Sequence, residues 1–228
     1  MVVRRRFLAF VLVLFCLTGY GLSALAKGVE ADLSAVREKK RVALTFDDGP
    51  HPHDTDRILT LLSLYGIKAT FFVIGENAER YPEPLLRAVA EGHEIGNHTY
   101  SHPKLKDQSK ESFLCELTRA EEVIRSLTGV TTTLFRPPEG YRQGVVSTVS
   151  RERGYKMVLW SVDTLDWTGA SADSIEAAIL GGIKDGSIIL CHDYISPKGH
   201  TYEALEKLIP RLIDEGYEFV TVSELLNR

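Results

Sequence analysis

The chain has 228 residues, 44% hydrophobic, 25% charged and 9% aromatic, a balance that suits a globular domain and excludes disordered, collagen-like and low-complexity classes. About 200 residues can bury one substantial core without a second domain. With 27 Lys and Arg against 31 Asp and Glu the formal charge is −4, so no general attraction to a polyanion exists and no nucleic-acid partner is expected.

At the N-terminus, Arg4, Arg5 and Arg6 precede an apolar run over residues 7–17, and Ala24-Leu25-Ala26 supplies an A-x-A cleavage signature. Residues 1–26 therefore read as a signal peptide, or as an N-terminal membrane anchor if Thr18, Gly19 and Tyr20 extend the run and it is not cleaved. In both cases the rest of the chain is exported, and membrane contact is confined to this segment. Residues 27–40 are charged and aperiodic, a linker, and residues 41–228 form the functional domain. Cys16 belongs to the leader, so Cys115 and Cys191 allow one disulfide at most. No motif specifies an oligomeric state.

Beyond the linker, apolar runs of strand length recur at 42–46, 70–74, 94–97, 133–135, 157–162, 188–191 and 219–222. Helical spacing separates them at 54–65, 84–91, 109–127, 145–153, 171–183 and 201–215. Asp54 and Ser171 read as N-caps, and Gly66, Gly92, Gly129, Gly154 and Gly216 as helix stops. Seven strands alternating with helices imply an α/β fold with a parallel sheet, either a barrel or a doubly wound sheet. Function then gathers at the C-terminal strand ends.

The first strand ends in Asp47-Asp48-Gly49-Pro50, where two carboxylates stand together, although the same residues make a good turn. The third ends in His98-Thr99-Tyr100-Ser101-His102, a spacing that lets two imidazoles reach one ion. Two imidazoles and a carboxylate leave open coordination positions, which suits hydrolytic zinc or non-haem iron alike. Later tips add Arg136-Pro137-Pro138-Glu139-Gly140, then Asp163-Thr164-Leu165-Asp166-Trp167, then Leu190-Cys191-His192-Asp193. Each alone has a structural explanation; five consecutive tips carrying such residues favour a site.

These five segments, in order and spacing, resemble the motifs of the polysaccharide deacetylases of carbohydrate esterase family four, the NodB homology domain, over about residues 41–224. The resemblance implies a distorted, incomplete (β/α) barrel with about seven parallel strands. It implies hydrolysis of N-acetyl or O-acetyl groups on peptidoglycan, chitin-like glucosamine polymers or xylan. By the same resemblance Asp48, His98 and His102 bind a divalent ion, zinc foremost and cobalt or another ion in its place. Asp47 is the general base, His192 the general acid, Arg136 orients Asp47 and pairs with Asp166, and Asp166 keeps His192 protonated. Trp167 and Leu190 form the apolar wall for the acetyl methyl group.

Glu139 departs from the family pattern, in which this position often carries Tyr. Its backbone N–H can still serve an oxyanion. Its carboxylate removes an aromatic sugar platform and disfavours anionic substrates, and Tyr141 is the candidate replacement. Cys191 is expected to point away from His192 into the core. The sequence thus predicts an exported, metal-dependent deacetylase of N-acetylated amino sugars, with peptidoglycan first among the polysaccharides. An acetylxylan esterase is the alternative within the class. A sugar-binding scaffold that keeps only fold and metal, or an iron oxygenase, leaves Asp47 and His192 unexplained.

Overall fold

Strand β1 (Lys40–Asp47) is buried along almost its whole length, as a central parallel strand covered on both faces must be. Its Val42, Leu44 and Phe46 side chains join the cluster packed under the helices, whereas Ala43 joins a second, inner cluster with Phe72 and Leu134. The alternation leaves Thr45 and Asp47 on the inner face, above Ala43. This computed structural model describes residues 40–195 and 199–227, so the expected leader, and the linker up to Lys40, lie outside the described residues.

The remaining elements follow in alternation: α1 (Asp54–Leu64), β2 (Thr70–Val73), α2 (Gly75–Arg80), α3 (Pro82–Ala90), β3 (Glu94–Asn97), α4 (Lys110–Thr128), β4 (Leu134–Phe135) and α5 (Val145–Glu152). Then come β5 (Lys156–Met157), β6 (Val162–Asp163), α6 (Ala172–Gly182), β7 (Ile188–His192), α7 (Thr201–Asp214), β8 (Tyr217–Phe219) and α8 (Val222–Leu226). All strand pairs are parallel, in the order β5-β4-β3-β2-β1-β7-β6, with β8 beside the N-terminal half of β1. The seven-stranded path curls into an incomplete (β/α) barrel. Among the described residues no helix is long and apolar enough to cross a membrane.

Three departures from the sequence reading have physical causes. The expected strand 157–162 is divided, because only its two ends find partners, β5 on β4 at one edge and β6 on β7 at the other. Residues 158–161 cross the opening between those edges, held by Val158 N–H to the Phe135 carbonyl and Ser161 N–H to the Ile188 carbonyl, both 2.9 Å. The expected strand 219–222 stops at Phe219, because Thr221 and Glu224 form a reciprocal capping box that starts α8. Val222 and Leu225 of that helix plug the N-terminal end of the barrel against Ala43 and Phe72. Helix α2, too short and polar to show a period, docks where Gly75 leaves no room: a Cβ there would lie 3.0 Å from the Ala120 Cα.

Ser171 caps α6 by accepting the Ser174 N–H, while the cap of α1 falls on His53, one residue before Asp54. The five glycines read as stops all have positive φ. Cys115 is exposed and Cys191 buried among the helix-facing residues, so both are free thiols and the permitted disulfide is not formed.

Candidate active site

Parallel register brings the strand tips together. Asp47 stands opposite His192 on the adjacent strand β7, and Asn97, directly before His98, stands opposite Phe135, directly before Arg136. Among the described residues, the non-glycine residues with positive φ are Asp48, Thr99, His102, Glu139 and Leu165, all in loops that follow strands at this end. Left-handed backbone at non-glycine residues costs about 1 kcal/mol or more and gathers where geometry serves function.

Asp48, His98 and His102 each offer one ligand atom, all lying within 4.8 Å of one another. Asp48 Oδ1 is 3.4 Å from His98 Nε2 and 3.5 Å from His102 Nε2. His98 Nδ1 donates to the Arg136 carbonyl at 2.7 Å, which leaves the Nε2 lone pair facing the site. Asp48 Oδ1 is buried and has no hydrogen-bond partner, a condition that a bound cation relieves. Burial opposes the Asp48 charge, yet His98, His192 and His102 together hold its carboxyl below the usual value. The histidine loop is pinned from α4, where the Glu116 carboxylate accepts the Tyr100 N–H (3.0 Å), the Ser101 N–H (2.8 Å) and the Ser101 hydroxyl (2.9 Å).

Beside the triad, Asp47 Oδ1 accepts from Arg136 Nη1 at 2.7 Å, and Asp47 Oδ2 lies 3.8 Å from His98 Nε2. Arg136 is fully buried and packs its guanidinium 4.1 Å above the Phe72 ring. It also donates to the Thr45 hydroxyl at 2.8 Å and to the Val158 and Leu159 carbonyls at 3.3 Å. Burial presses its pKa down, against the pull of Asp47. The expected pairing of Arg136 with Asp166 is not formed. Arg136 takes its carboxylate from Asp47, and Asp166 spends both oxygens elsewhere.

Those oxygens hold His192. Asp166 Oδ1 accepts from Nδ1 at 2.7 Å, and Oδ2 accepts from the His192 N–H at 2.8 Å and from the Thr201 hydroxyl at 2.7 Å. Burial disfavours the imidazolium, but the bonded and fully buried Asp166 outweighs it, and the pKa of His192 rises to about 9. The Asp166 bond thus favours the protonated imidazole of His192.

Asp47, Asp48, His98, His102 and His192 face one cavity of about 530 Å³ that Trp167 and Leu190 also line, with the buried Arg136 and Asp166 behind them. Leu190 is buried, whereas Trp167 is 57% exposed and forms a rim. Glu139 faces the same cavity, which Tyr141 does not line. Tyr141 lines an adjoining cavity of about 520 Å³, which shares Glu139 and Trp160 with the first.

Sequence reasoning missed Trp160, Asp163, Thr201, Asn77 and Asp193. Trp160 lies within an apolar run and reads as core. Asp163 and Asp193 belong to segments already singled out, in which Asp166, Trp167 and His192 carry the family motif. Burial pushes the pKa of Asp193 up to about 7. Thr201 and Asn77 carry no local signal, since what matters is their tertiary position.

The sequence matches the polysaccharide deacetylase family over residues 34–158. A peptidoglycan-N-acetylglucosamine deacetylase of Bacillus cereus is 43% identical over 190 residues, covering 82% of this chain and 68% of that one. The crystal structure of the Bc1960 peptidoglycan N-acetylglucosamine deacetylase superposes with a TM-score of 0.78 at 41% identity, covering 82% of this chain and 88% of that one. A family 4 acetyl xylan esterase from Clostridium thermocellum, solved with a cobalt ion, also gives 0.78, at 36% identity over 82% of this chain and 91% of that one. With the family match spanning more than half of its length, and its five motif segments converging on one cleft, this chain belongs to the polysaccharide deacetylases of carbohydrate esterase family four.

Proposed function

We propose that this protein is an exported, metal-dependent deacetylase that hydrolyses the N-acetyl groups of amino sugars in a cell-envelope polysaccharide, peptidoglycan foremost. One observation carries the reading. Three groups able to ligate one cation line the same cleft as a carboxylate hydrogen-bonded to a buried Arg and an imidazole hydrogen-bonded to a buried Asp.

Asp48, His98 and His102 hold the ion, for which zinc and cobalt are the leading candidates. Bound there, a divalent ion acidifies a water and polarises the acetyl carbonyl. Asp47 accepts the water proton, and the hydrogen bond from Arg136 fixes its direction. His192 donates its proton to the departing amine, a leaving group that needs protonation. The Glu139 N–H serves the oxyanion, and Leu190 with Trp167 accommodates the methyl group. The adjoining cavity past Trp160 gives a polymer room to continue beyond the reacting sugar, and the Glu139 carboxylate turns away anionic neighbours. Export rests on the leader over residues 1–26.

The test is acetate release from N-acetylglucosamine oligomers, peptidoglycan and acetylated xylan, by protein stripped with chelator and then reloaded with zinc or cobalt. Acetate is expected from the N-acetyl substrates, and only after reloading. Release from xylan alone would make the protein an esterase, and full activity without metal would overturn the mechanism.

A further inference from the structure

The peptide linking Asp48 to Gly49 is gripped at both polar ends. Asn77 of α2 donates its amide to the Asp48 carbonyl at 2.7 Å, and Asp193 Oδ1 accepts the Gly49 N–H at 3.0 Å. Asp193 Oδ2 in turn accepts the Thr55 hydroxyl at 2.6 Å, and that hydroxyl accepts the His51 N–H at 2.7 Å. The next carbonyl, that of Gly49, is taken by the Ile74 N–H at 3.0 Å. Asp48 itself sits at φ 76°, a left-handed backbone state uncommon for residues that carry a side chain. A side chain at position 49 is excluded, since a Cβ there would lie 2.1 Å from Asp193 Oδ2.

We infer that Asn77, Asp193 and Thr55 are positioning residues that fix the Asp48–Gly49 peptide, and so preorganise the Asp48 carboxylate as a metal ligand before any ion arrives. The inference rests on the assignment of Asp48 as a ligand. It separates two functions within one motif: Asp193 sets how tightly the ion is held, while its neighbour His192 performs the proton transfer. None of the three touches the cavity wall formed by Trp167 and Leu190. The inference therefore places the effect of their removal on the metal site.

Aspartate suits position 193 because both of its partners donate to it. An amide has one acceptor oxygen, so Asp193→Asn either sets its NH₂ against the Gly49 N–H or keeps that bond and leaves the Thr55 hydroxyl hydrogen without its acceptor. Thr55→Val and Asn77→Ala each remove one support without altering charge.

The experiment is a zinc titration of the full chain against a competing chelator, for wild type and the three variants, with thermal unfolding of each metal-free protein alongside. Each variant is expected to bind zinc about 10- to 100-fold more weakly, the usual cost of losing a support behind a ligand. Turnover at saturating zinc is expected to return to within a few-fold of wild type. If Asp193→Asn fails to fold, Thr55→Val and Asn77→Ala carry the test. Folded variants that bind zinc as wild type does, whatever their melting temperature, would reduce the three residues to scaffold and overturn the inference. A turnover loss that saturating zinc does not repair would overturn it too. Wild-type protein that takes up no zinc would overturn the ligand assignment itself, a result distinguishable from the others.

Discussion

Replacing Arg136 by Met tests whether the buried guanidinium holds the site together. Methionine keeps an unbranched apolar stem over Phe72 but removes donors to Asp47, Thr45 and the carbonyls of Val158 and Leu159. The Asp47 side chain is only 5% exposed, so its carboxylate would be left charged and unpaired. Breaking one partner of such a pair costs about 3–5 kcal/mol. The two carbonyl bonds, at 3.3 Å, are long and add less. For a domain of this size each kcal/mol moves the midpoint by about 2–4 °C, so a fall of about 6–20 °C is expected for metal-free protein. Much of that cost is the orphaned charge, which makes a sharper claim available. In the double variant Arg136→Met/Asp47→Asn the charge is gone as well, and stability is expected to recover by about 1–3 kcal/mol over the sum of the single losses. Urea unfolding of the four proteins of the cycle measures this. Additive losses, or an Arg136→Met loss under about 1 kcal/mol, would refute the idea that the ion pair is the dominant partnership of either residue.

Three further expectations concern the chemistry. Asp47→Asn is expected to retain zinc and lose at least about 100-fold in turnover, whereas His98→Ala and His102→Ala lose the metal itself; metal analysis beside acetate release separates the two. His192→Ala is expected to lose at least about 100-fold on an N-acetyl substrate and far less on an activated acetate ester, whose leaving group needs no proton; equal losses would point to positioning instead. His192 in metal-free protein is expected to titrate near pH 9, read from its imidazole NMR signals, and Asp166→Asn to bring it down. Because folding raises this pKa above its ordinary 6.5, the associated stability is complete below about pH 6.5 and is lost as pH rises through about 9. An ion beside Asp48 offsets that carboxylate's field, so the loaded protein titrates lower; a metal-free value below 6.5 would contradict the Asp166 bond.

The strand tips were legible because chemistry-bearing residues stood directly after apolar runs, and parallel register does the rest: Asp47 meets His192 with no long-range guess required. What stayed hidden depended on partners distant in sequence. Asn77 lies in a short polar helix with no period, and its part is set by contact with Asp48, 29 residues away. The split of residues 157–162 was invisible because hydrophobicity reports burial, and Val158 is as buried off the sheet as it would be within it. The start of α8 could have been read, since Thr221-Val222-Ser223-Glu224 is a capping-box sequence; the β-branched run before it obscured the signal. The Arg136–Asp166 pairing failed because Asp166 lies committed to His192 and Thr201.

The crossing at residues 158–161 has a consequence for how this scaffold tolerates change in length. A residue inserted into β1 would shift every pairing with β2 and β7 and turn the inward side chains outward. An insertion between Val158 and Ser161 slips no register, because those residues pair with the sheet only at the two ends of the crossing. Trp160 stands on this crossing and borders both cavities. The mouth of the cleft can therefore be widened, narrowed or resurfaced by editing a few residues of linking chain, while the inherited constellation of acids and imidazoles stays where the sheet puts it. The limit on such editing is Arg136, which reaches the carbonyls of Val158 and Leu159 and ties the near half of the crossing to the reacting centre. Adjustable length thus belongs to the stretch around Trp160, between that tether and Ser161, whose N–H is held by the Ile188 carbonyl.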